Sequence, residues 1–351
     1  GNGDEMGTVD FAAKHADEIA CKDACLDSKS CQAAVWNVSE SKPCSLYANT
    51  QDTLMPRHGA SYWRKYDVVS KTSWNFSAID PYVVSFMKAA AGHTKSTVFN
   101  WSPIPKWMIG KDGKLLDPSG KQLGYYFSRI ISWYTKGGFV DEVGAHHISN
   151  HTFDWRNWEV LNEVDNTFPG CNSLNKTEEL SLECARQYTI LYDTIVEILH
   201  KDHPQLRFTA ISLAFPACPN ELAWFRYFLN ASNHRLPVSR DFPVYMSGVS
   251  HHWYSENMGG TTFEDLKTDI DDVFVQTAQF LLQASKIQVI VDELAPHARV
   301  SVNEIGILIW GAFKNAKMLF ETERWFLNLQ AAQYAYAYAE LARIGTSAMA
   351  A

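Results

Sequence analysis

From about residue 72 onward the chain switches repeatedly between two hydrophobic periods. Apolar side chains recurring every three to four positions predict amphipathic helices, and short runs rich in Val, Ile, Phe and Trp predict strands. DPYVVSFMKAAAG reads as a helix followed by the strand STVFNW, and GYYFSRIISWYTKGG as a helix followed by the strand NWEVLNE. ARQYTILYDTIVEILHK leads to LRFTAISLA, and ELAWFRYFLN leads to VYMSGVSHHWY. The long helical stretch FEDLKTDIDDVFVQTAQFLLQASKIQVIVDELA precedes RVSVNEIGIL, and FLNLQAAQYAYAYAELARIG precedes the final TSAMAA. Alternation at this spacing predicts an α/β domain over residues 72–351 built on a parallel sheet, open or closed as a barrel. Six strands can be counted, whereas a TIM-type (β/α)₈ barrel needs eight.

Residues 7–65 follow another pattern. Phe11 to Asp27 reads as a helix that places Cys21 and Cys25 at i and i+4 on one face, followed by the short strands AAVWNV and CSLYA. Four of the seven cysteines, Cys21, Cys25, Cys31 and Cys44, fall in this region, and the others are Cys171, Cys184 and Cys218. The spacing suits a small α+β module stapled by disulfides better than a zinc site, which would want paired CxxC or HxxxH units. The segment CKDACLDSKSCQAAVWNVSESKPCSLYA resembles a PAN/apple module. That resemblance implies nested pairs, Cys25 with Cys31 and Cys21 with Cys44, and a protein or glycan ligand.

A net charge of −8 argues against nucleic acid as a partner, because affinity for a phosphate backbone rests on clustered Lys and Arg. No apolar run is long enough to span a membrane. Asn-x-Ser/Thr triplets at Asn37, Asn75, Asn100, Asn150, Asn175 and Asn230, together with clustered cysteines, point to the secretory pathway, with a secreted, extracellular, lysosomal or vacuolar destination. Twelve Trp residues offer flat apolar faces of the kind that stack on sugar rings, although most Trp serve in cores.

In a parallel α/β barrel the reactive groups sit where strands end and loops begin. Glu163 closes the strand WEVLNE, and Glu304 follows the β-branched run VSVN with Gly306 close behind. Glycoside hydrolysis needs such a pair: one carboxyl group protonates the leaving oxygen while the other meets the positive charge developing at the anomeric carbon. An apolar, negatively charged setting for Glu163 would raise its pKa and keep it protonated, while donors around Glu304 would keep that group ionised. Glu293 in IQVIVDELAP is a rival to Glu304, but its apolar neighbours recur at helical spacing with Pro296 just beyond, which places it in the last turn of a helix.

WEVLNE is similar to the acid/base strand of clan A glycoside hydrolases, and VNEIG to their nucleophile strand. With NWSPIPKWM and SHHWY, the stretch from Trp74 to Ala351 most resembles the group around family thirty-nine, which contains β-xylosidases and α-iduronidases. The resemblance implies a (β/α)₈ barrel, a retaining double displacement with Glu163 as acid/base and Glu304 as nucleophile, an oligo- or polysaccharide substrate, and Asn162 bonding a sugar 2-hydroxyl. Neither cofactor nor metal is expected.

Several readings stay open at this stage. The strand period puts His252 and Tyr254 on one face, which by resemblance looks into the site; both also fit a satisfied core. Trp101 and Trp107, flanking Pro103-Ile104-Pro105, suit a sugar-stacking wall and equally plain packing. Asp141, Glu142, His146, His147 and His151 lie in a Gly/Ser/Asn-rich stretch read as a loop, and HHxxxH lacks the Glu of a zinc-protease helix. The first two βα units of a full barrel are not identifiable and the chain stops within the eighth strand, so the barrel is read as incomplete. Open edges of that kind favour aggregation or a partner. The competing reading of the whole chain is a secreted carbohydrate-binding or adhesive protein with an inactive barrel.

Overall fold

A computed structural model describes residues 21, 33–36, 44–47, 61–64, 74–94, 97–102, 104–168, 171, 177–214, 216, 220–235, 246–256, 270–308 and 324–348. These fall into two compact units, one comprising 1–86 and 129–153, the other 87–128 and 154–351.

In the first unit three short strands, β1 (Ala33–Trp36), β2 (Cys44–Tyr47) and β3 (Ser61–Arg64), form an antiparallel sheet in the order β2-β1-β3. The first two coincide with the predicted strands; the third carries no distinct signal in the sequence. Cys21 is buried and disulfide-bonded. The remainder of the predicted helix, and Cys25 and Cys31, lie outside the described residues.

The stretch read as a loop is instead a hairpin, β5 (Gly138–Val140) paired antiparallel with β6 (His146–Ile148). Asp141 makes the turn: its Oδ1 accepts from the backbone N–H groups of Val143 and Ala145, and its Oδ2 lies 2.7 Å from His147 Nε2. Gly138 is required where the strands meet, because φ is +141° and a Cβ there would run into the His147 carbonyl oxygen. The Asp/His grouping thus closes a turn, and an Asx-type cap leaves little in the sequence to separate it from a loop.

In the second unit six parallel strands carry the fold. They are β4 (Val98–Asn100), β7 (Asn157–Glu159), β8 (Arg207–Leu213), β9 (Met246–Glu256), β10 (Arg299–Leu308) and β11 (Ser347–Ala348), in the order β11-β10-β9-β8-β7-β4. These are the six strands expected from the sequence. The predicted helices are also present: α1 (Asp80–Ala89) and α2 (Lys121–Thr135), each with residues in both units, and, in the second unit, α4 (Glu178–Asp202) after the single turn α3 (Val164–Thr167), α5 (Leu222–Leu229), α6 (Ile270–Leu294) and α7 (Arg324–Arg343). Helix α4 begins where the Thr177 side chain accepts from the Leu180 N–H, with Glu178 and Glu179 in the first turn and His200 and Lys201 in the last. That charge order complements the helix dipole.

The sheet is strongly curled. Glu159 on β7 is hydrogen-bonded by Asn303 on β10, three strands away, at 2.9 and 3.0 Å. In a flat sheet three strand spacings amount to about 14 Å, more than two such side chains can bridge. The six strands therefore form the curved wall of a partial (β/α)₈ barrel, with helices outside and polar side chains converging inside. The outer face is apolar. On β9, Trp253 stacks on Phe280 of α6 and packs with Val302, Ile305, Ala337 and Leu341. His251 on the same face lies edge-on to Phe225 and Phe280, and burial lowers its pKa to about 3 against a small opposing contribution from the His252 backbone, which keeps it neutral.

Candidate active site

The interior wall of the barrel collects its polar side chains through three irregularities of the backbone. The first ends β7. Leu161 and Glu163 both adopt positive φ, 68° and 49°, and the chain then turns directly into α3. The second is on β8, where Ile211 and Ser212 also have positive φ, 77° and 48°, at a register shift between Ile211 and Leu213. Left-handed Leu and Ile are uncommon, and each such residue stores about 1–3 kcal/mol that the surroundings must offset. Tyr188 of α4 supplies one offset: its buried hydroxyl donates to the Val160 carbonyl (3.0 Å) and accepts from the Ile211 N–H (2.8 Å), pinning both strand ends. Tyr188→Phe is therefore expected to lower stability by about 1–3 kcal/mol, measured by denaturant unfolding; an unchanged midpoint would show that the strand ends hold themselves.

The third irregularity decides where Glu304 points. Up to Val302 the alternation of β10 runs normally, with Val302 in the outer core. A register shift between Val302 and Glu304 then breaks the alternation, and Ile305 returns to the outer core. Asn303 and Glu304, which a regular strand would send to opposite faces, both project inward.

The result is a cluster around His252. The imidazole is fully buried, and its Nδ1 lies 3.2 Å from Glu163 Oε1 and 3.4 Å from Glu304 Oε2. One imidazole nitrogen and one oxygen of each carboxylate all lie within 4.8 Å of one another. Tyr254, two residues along β9, donates its hydroxyl to Glu304 Oε2 at 2.8 Å. Burial, followed by the Glu304 carboxylate, holds the Tyr254 pKa well above the usual phenol value, so it remains a donor. Asn162 is tied from two sides, its Oδ1 accepting from Asn100 Nδ2 (3.2 Å) and from Ser212 Oγ (3.1 Å). His252 and Tyr254 do share the inner face, as the strand period predicted.

The electrostatics differ from expectation at Glu163. Its pKa is lowered, chiefly by the hydrogen bond from His252, with burial opposing. The raised value expected of an apolar, negatively charged setting is not found, because His252, 89 positions away in the chain, is hydrogen-bonded to this carboxylate.

A further group had no signal as a site residue. Glu159, four positions before Glu163, is almost fully buried beneath the cluster and accepts from Asn100 Nδ2 at 2.5 Å, from Asn303 Nδ2, and from the Ser250 hydroxyl. Burial raises its pKa, with the Ser250 and Asn100 donors opposing. The period-2 pattern of WEVLNE puts Glu159 on the same face as Leu161 and Glu163, and that is the signal that could have found it.

No family model and no curated protein sequence matches the chain. Among solved structures, a family 51 α-L-arabinofuranosidase from Bifidobacterium longum is similar over 66% of this chain and 45% of its own, with a TM-score of 0.43 and 14% identity. A GH10 endoxylanase from a sugarcane soil metagenome is similar over 80% and 70%, at 0.42 and 12%. A xylanase from Cellvibrio japonicus is similar over 80% and 73%, at 0.43 and 11%. The chain thus spans less than half the length of the arabinofuranosidase.

The remaining candidates are placed elsewhere. Glu293 lies in the last turn of α6, 61% exposed at its side chain and 3.8 Å from Arg226, which removes it as a rival to Glu304. Trp101 hydrogen-bonds the Tyr126 hydroxyl, and Trp107, 60% exposed, meets Tyr126 edge to face. Neither indole takes part in the described hydrogen bonds around His252. Cys171 and Cys184 form a disulfide. Asn100, one of the glycosylation triplets, commits its amide nitrogen to Glu159, Leu161 and Asn162.

Proposed function

We propose that the chain is a glycoside hydrolase that cleaves O-glycosidic bonds by a retaining double displacement, with Glu163 as acid/base and Glu304 as nucleophile. The observation that carries this reading is the pair itself: two carboxylates, one just beyond β7 and one within β10, meet on the inner wall, their nearest oxygens within 4.8 Å and both about a quarter exposed. Retaining hydrolysis uses carboxyl groups about 5–5.5 Å apart, whereas inversion needs about 6.5–9.5 Å to admit a water.

Each residue then has a task. Glu163 gives its proton to the leaving oxygen as the glycosidic bond breaks, and Glu304 Oε attacks the anomeric carbon to form a glycosyl ester. Glu163, now a carboxylate, takes a proton from water, whose oxygen attacks the same carbon and releases Glu304. His252 Nδ1, 3.2 Å from Glu163 and 3.4 Å from Glu304, holds the two carboxylates side by side, and the water proton taken by Glu163 returns it to the acid form for the next turnover. Tyr254 holds Glu304 in place, and Asn162, its oxygen fixed by Asn100 and Ser212, presents its amide N–H₂ to a sugar 2-hydroxyl. Trp101 and Trp107 remain candidates for stacking at the rim. The WEVLNE and VNEIG segments favour clan A, and the resemblance of Trp74 to Ala351, with NWSPIPKWM and SHHWY, favours the β-xylosidase/α-iduronidase group within it and an oligo- or polysaccharide substrate. The cysteine-rich region 7–65 is read as an apple-like module that binds a protein or glycan, in a chain routed through the secretory pathway.

The test is covalent capture. A panel of 2-deoxy-2-fluoro glycosides with good leaving groups is expected to add one sugar mass to the protein, on the peptide containing Glu304. Labelling at any other carboxylate would overturn the assignment. Glycan binding without turnover, unaffected by Glu304→Gln, would assign the barrel to a carbohydrate-binding protein instead.

A further inference from the structure

The hydrogen-bond directions around His252 bear on a second ligand. Ser212 Oγ lies 3.1 Å from His252 Nε2 and 3.1 Å from Asn162 Oδ1. Asn162 Oδ1 is an acceptor, also receiving Asn100 Nδ2, so the single Ser212 proton points to it and away from the imidazole. The Ser212 oxygen must then accept from Nε2–H. The Nε2 proton is thus fixed from behind, and Nδ1 is the nitrogen left facing Glu163 and Glu304. A neutral ring would aim a lone pair at two carboxylate oxygens 3.2 and 3.4 Å away, an arrangement that calls for a cation between them, either a proton on Nδ1 or a metal ion.

The distances suit a metal. Zinc bonds of about 2.0–2.2 Å to His and Glu in tetrahedral geometry put neighbouring ligand atoms about 3.3–3.5 Å apart. The two His–Glu edges match this, and a small rotation of either carboxylate would shorten the third from its bound of 4.8 Å. His252 is fully buried and its far nitrogen is held by Ser212, the outer support that orients ligand imidazoles. Side-chain exposures of 25% for Glu163 and 28% for Glu304 leave a fourth position open to water.

We propose that Glu163, His252 and Glu304 bind one divalent transition-metal ion of the Zn²⁺ class, displacing the Nδ1 proton to solvent, and that this occupancy excludes sugar substrate. The binding follows from the geometry alone; only the inhibition rests on the glycosidase reading.

The experiment titrates metal-stripped full-length chain with Zn²⁺ by calorimetry and with Co²⁺ by visible absorption, in the absence of sugar. One equivalent is expected, with the intense bands of tetrahedral cobalt. His252→Ala and the isosteric Glu304→Gln should each abolish it, Ser212→Ala should weaken it about 10–100-fold, and His147→Ala should leave it unchanged. Circular dichroism of each variant separates lost binding from lost folding; should His252→Ala unfold, Glu304→Gln alone decides. No binding to the folded wild type, retention of full affinity by Glu304→Gln, or loss on His147→Ala would overturn the site. Zn²⁺ should also inhibit any glycosidase activity reversibly on chelation. Binding in a chain with no activity would leave the metal site standing and refute the enzyme.

Discussion

Glu163→Gln is expected to lower kcat/KM on unactivated glycosides by about 10²–10⁴-fold while leaving kcat/KM on an activated aryl glycoside within about tenfold of wild type. The reason lies in the leaving group. An alkoxide cannot depart without a proton, so a substrate with a sugar leaving group needs the Glu163 carboxylic acid in the transition state. A nitrophenolate departs unaided, and the glycosylation step then depends on Glu304 alone. Gln keeps the size of the side chain and an oxygen that can accept from His252, whose Nδ1 sits 3.2 Å from Glu163. It removes only the proton. The comparison needs a pair of substrates sharing the sugar and differing in leaving-group acidity. Equal loss on both would show that Glu163 positions rather than protonates. The same selective pattern on Glu304→Gln would exchange the two roles.

Glu159 should matter most for stability. Its carboxyl group takes hydrogen bonds from β4, β9 and β10 through Asn100, Ser250 and Asn303, so it ties together strands that would be far apart in a flat sheet. Glu159→Leu takes the acceptor from the half-buried Asn303 amide and the buried Ser250 hydroxyl, while the exposed Asn100 amide keeps Leu161 and Asn162 as partners. At about 1–3 kcal/mol for each of these two groups, less what Ser250 recovers by turning, the loss comes to about 1–4 kcal/mol in denaturant unfolding. Glu159→Gln, which keeps an acceptor, should cost much less.

The same group sets a pH dependence. Burial raises the folded pKa of Glu159 above its unfolded value, so the native state binds this proton more tightly. Its contribution is fully present below the unfolded value and is lost as pH rises through the folded one. Relative to wild type, Glu159→Gln should gain stability as pH rises from about 4.5 towards neutral. A change of the opposite sign would mean that the Asn and Ser donors outweigh burial and keep Glu159 ionised.

Much of this architecture follows from periodicity. The longer parallel strands and the helices other than α3 are written in runs whose apolar faces recur at two or near 3.6 residues, because those faces must be buried whatever the neighbours are. The same logic placed His252 and Tyr254 on one side of β9 and His251 and Trp253 on the other, and it put Glu293 on a helix. The expected strand end holds for Glu163, which lies between β7 and α3, but not for Glu304, because β10 stays paired with β9 as far as Leu308.

What the tertiary structure decided is everything that depends on the sheet's curl and its breaks in register. Asn303 and Glu304 face inward together because β10 bulges between Val302 and Glu304, a feature set by pairing with β9 and invisible to a count of alternating residues. Glu159 meets Asn303 because three strands bend round to bring them together; along the chain they are 144 residues apart. The lowered pKa of Glu163 comes from a histidine 89 positions away. Local pattern determines which face of an element is buried, since that needs only the residue's own neighbours. Which side chains meet, and which proton each holds, is a matter of distance in space, and only the folded sheet supplies it.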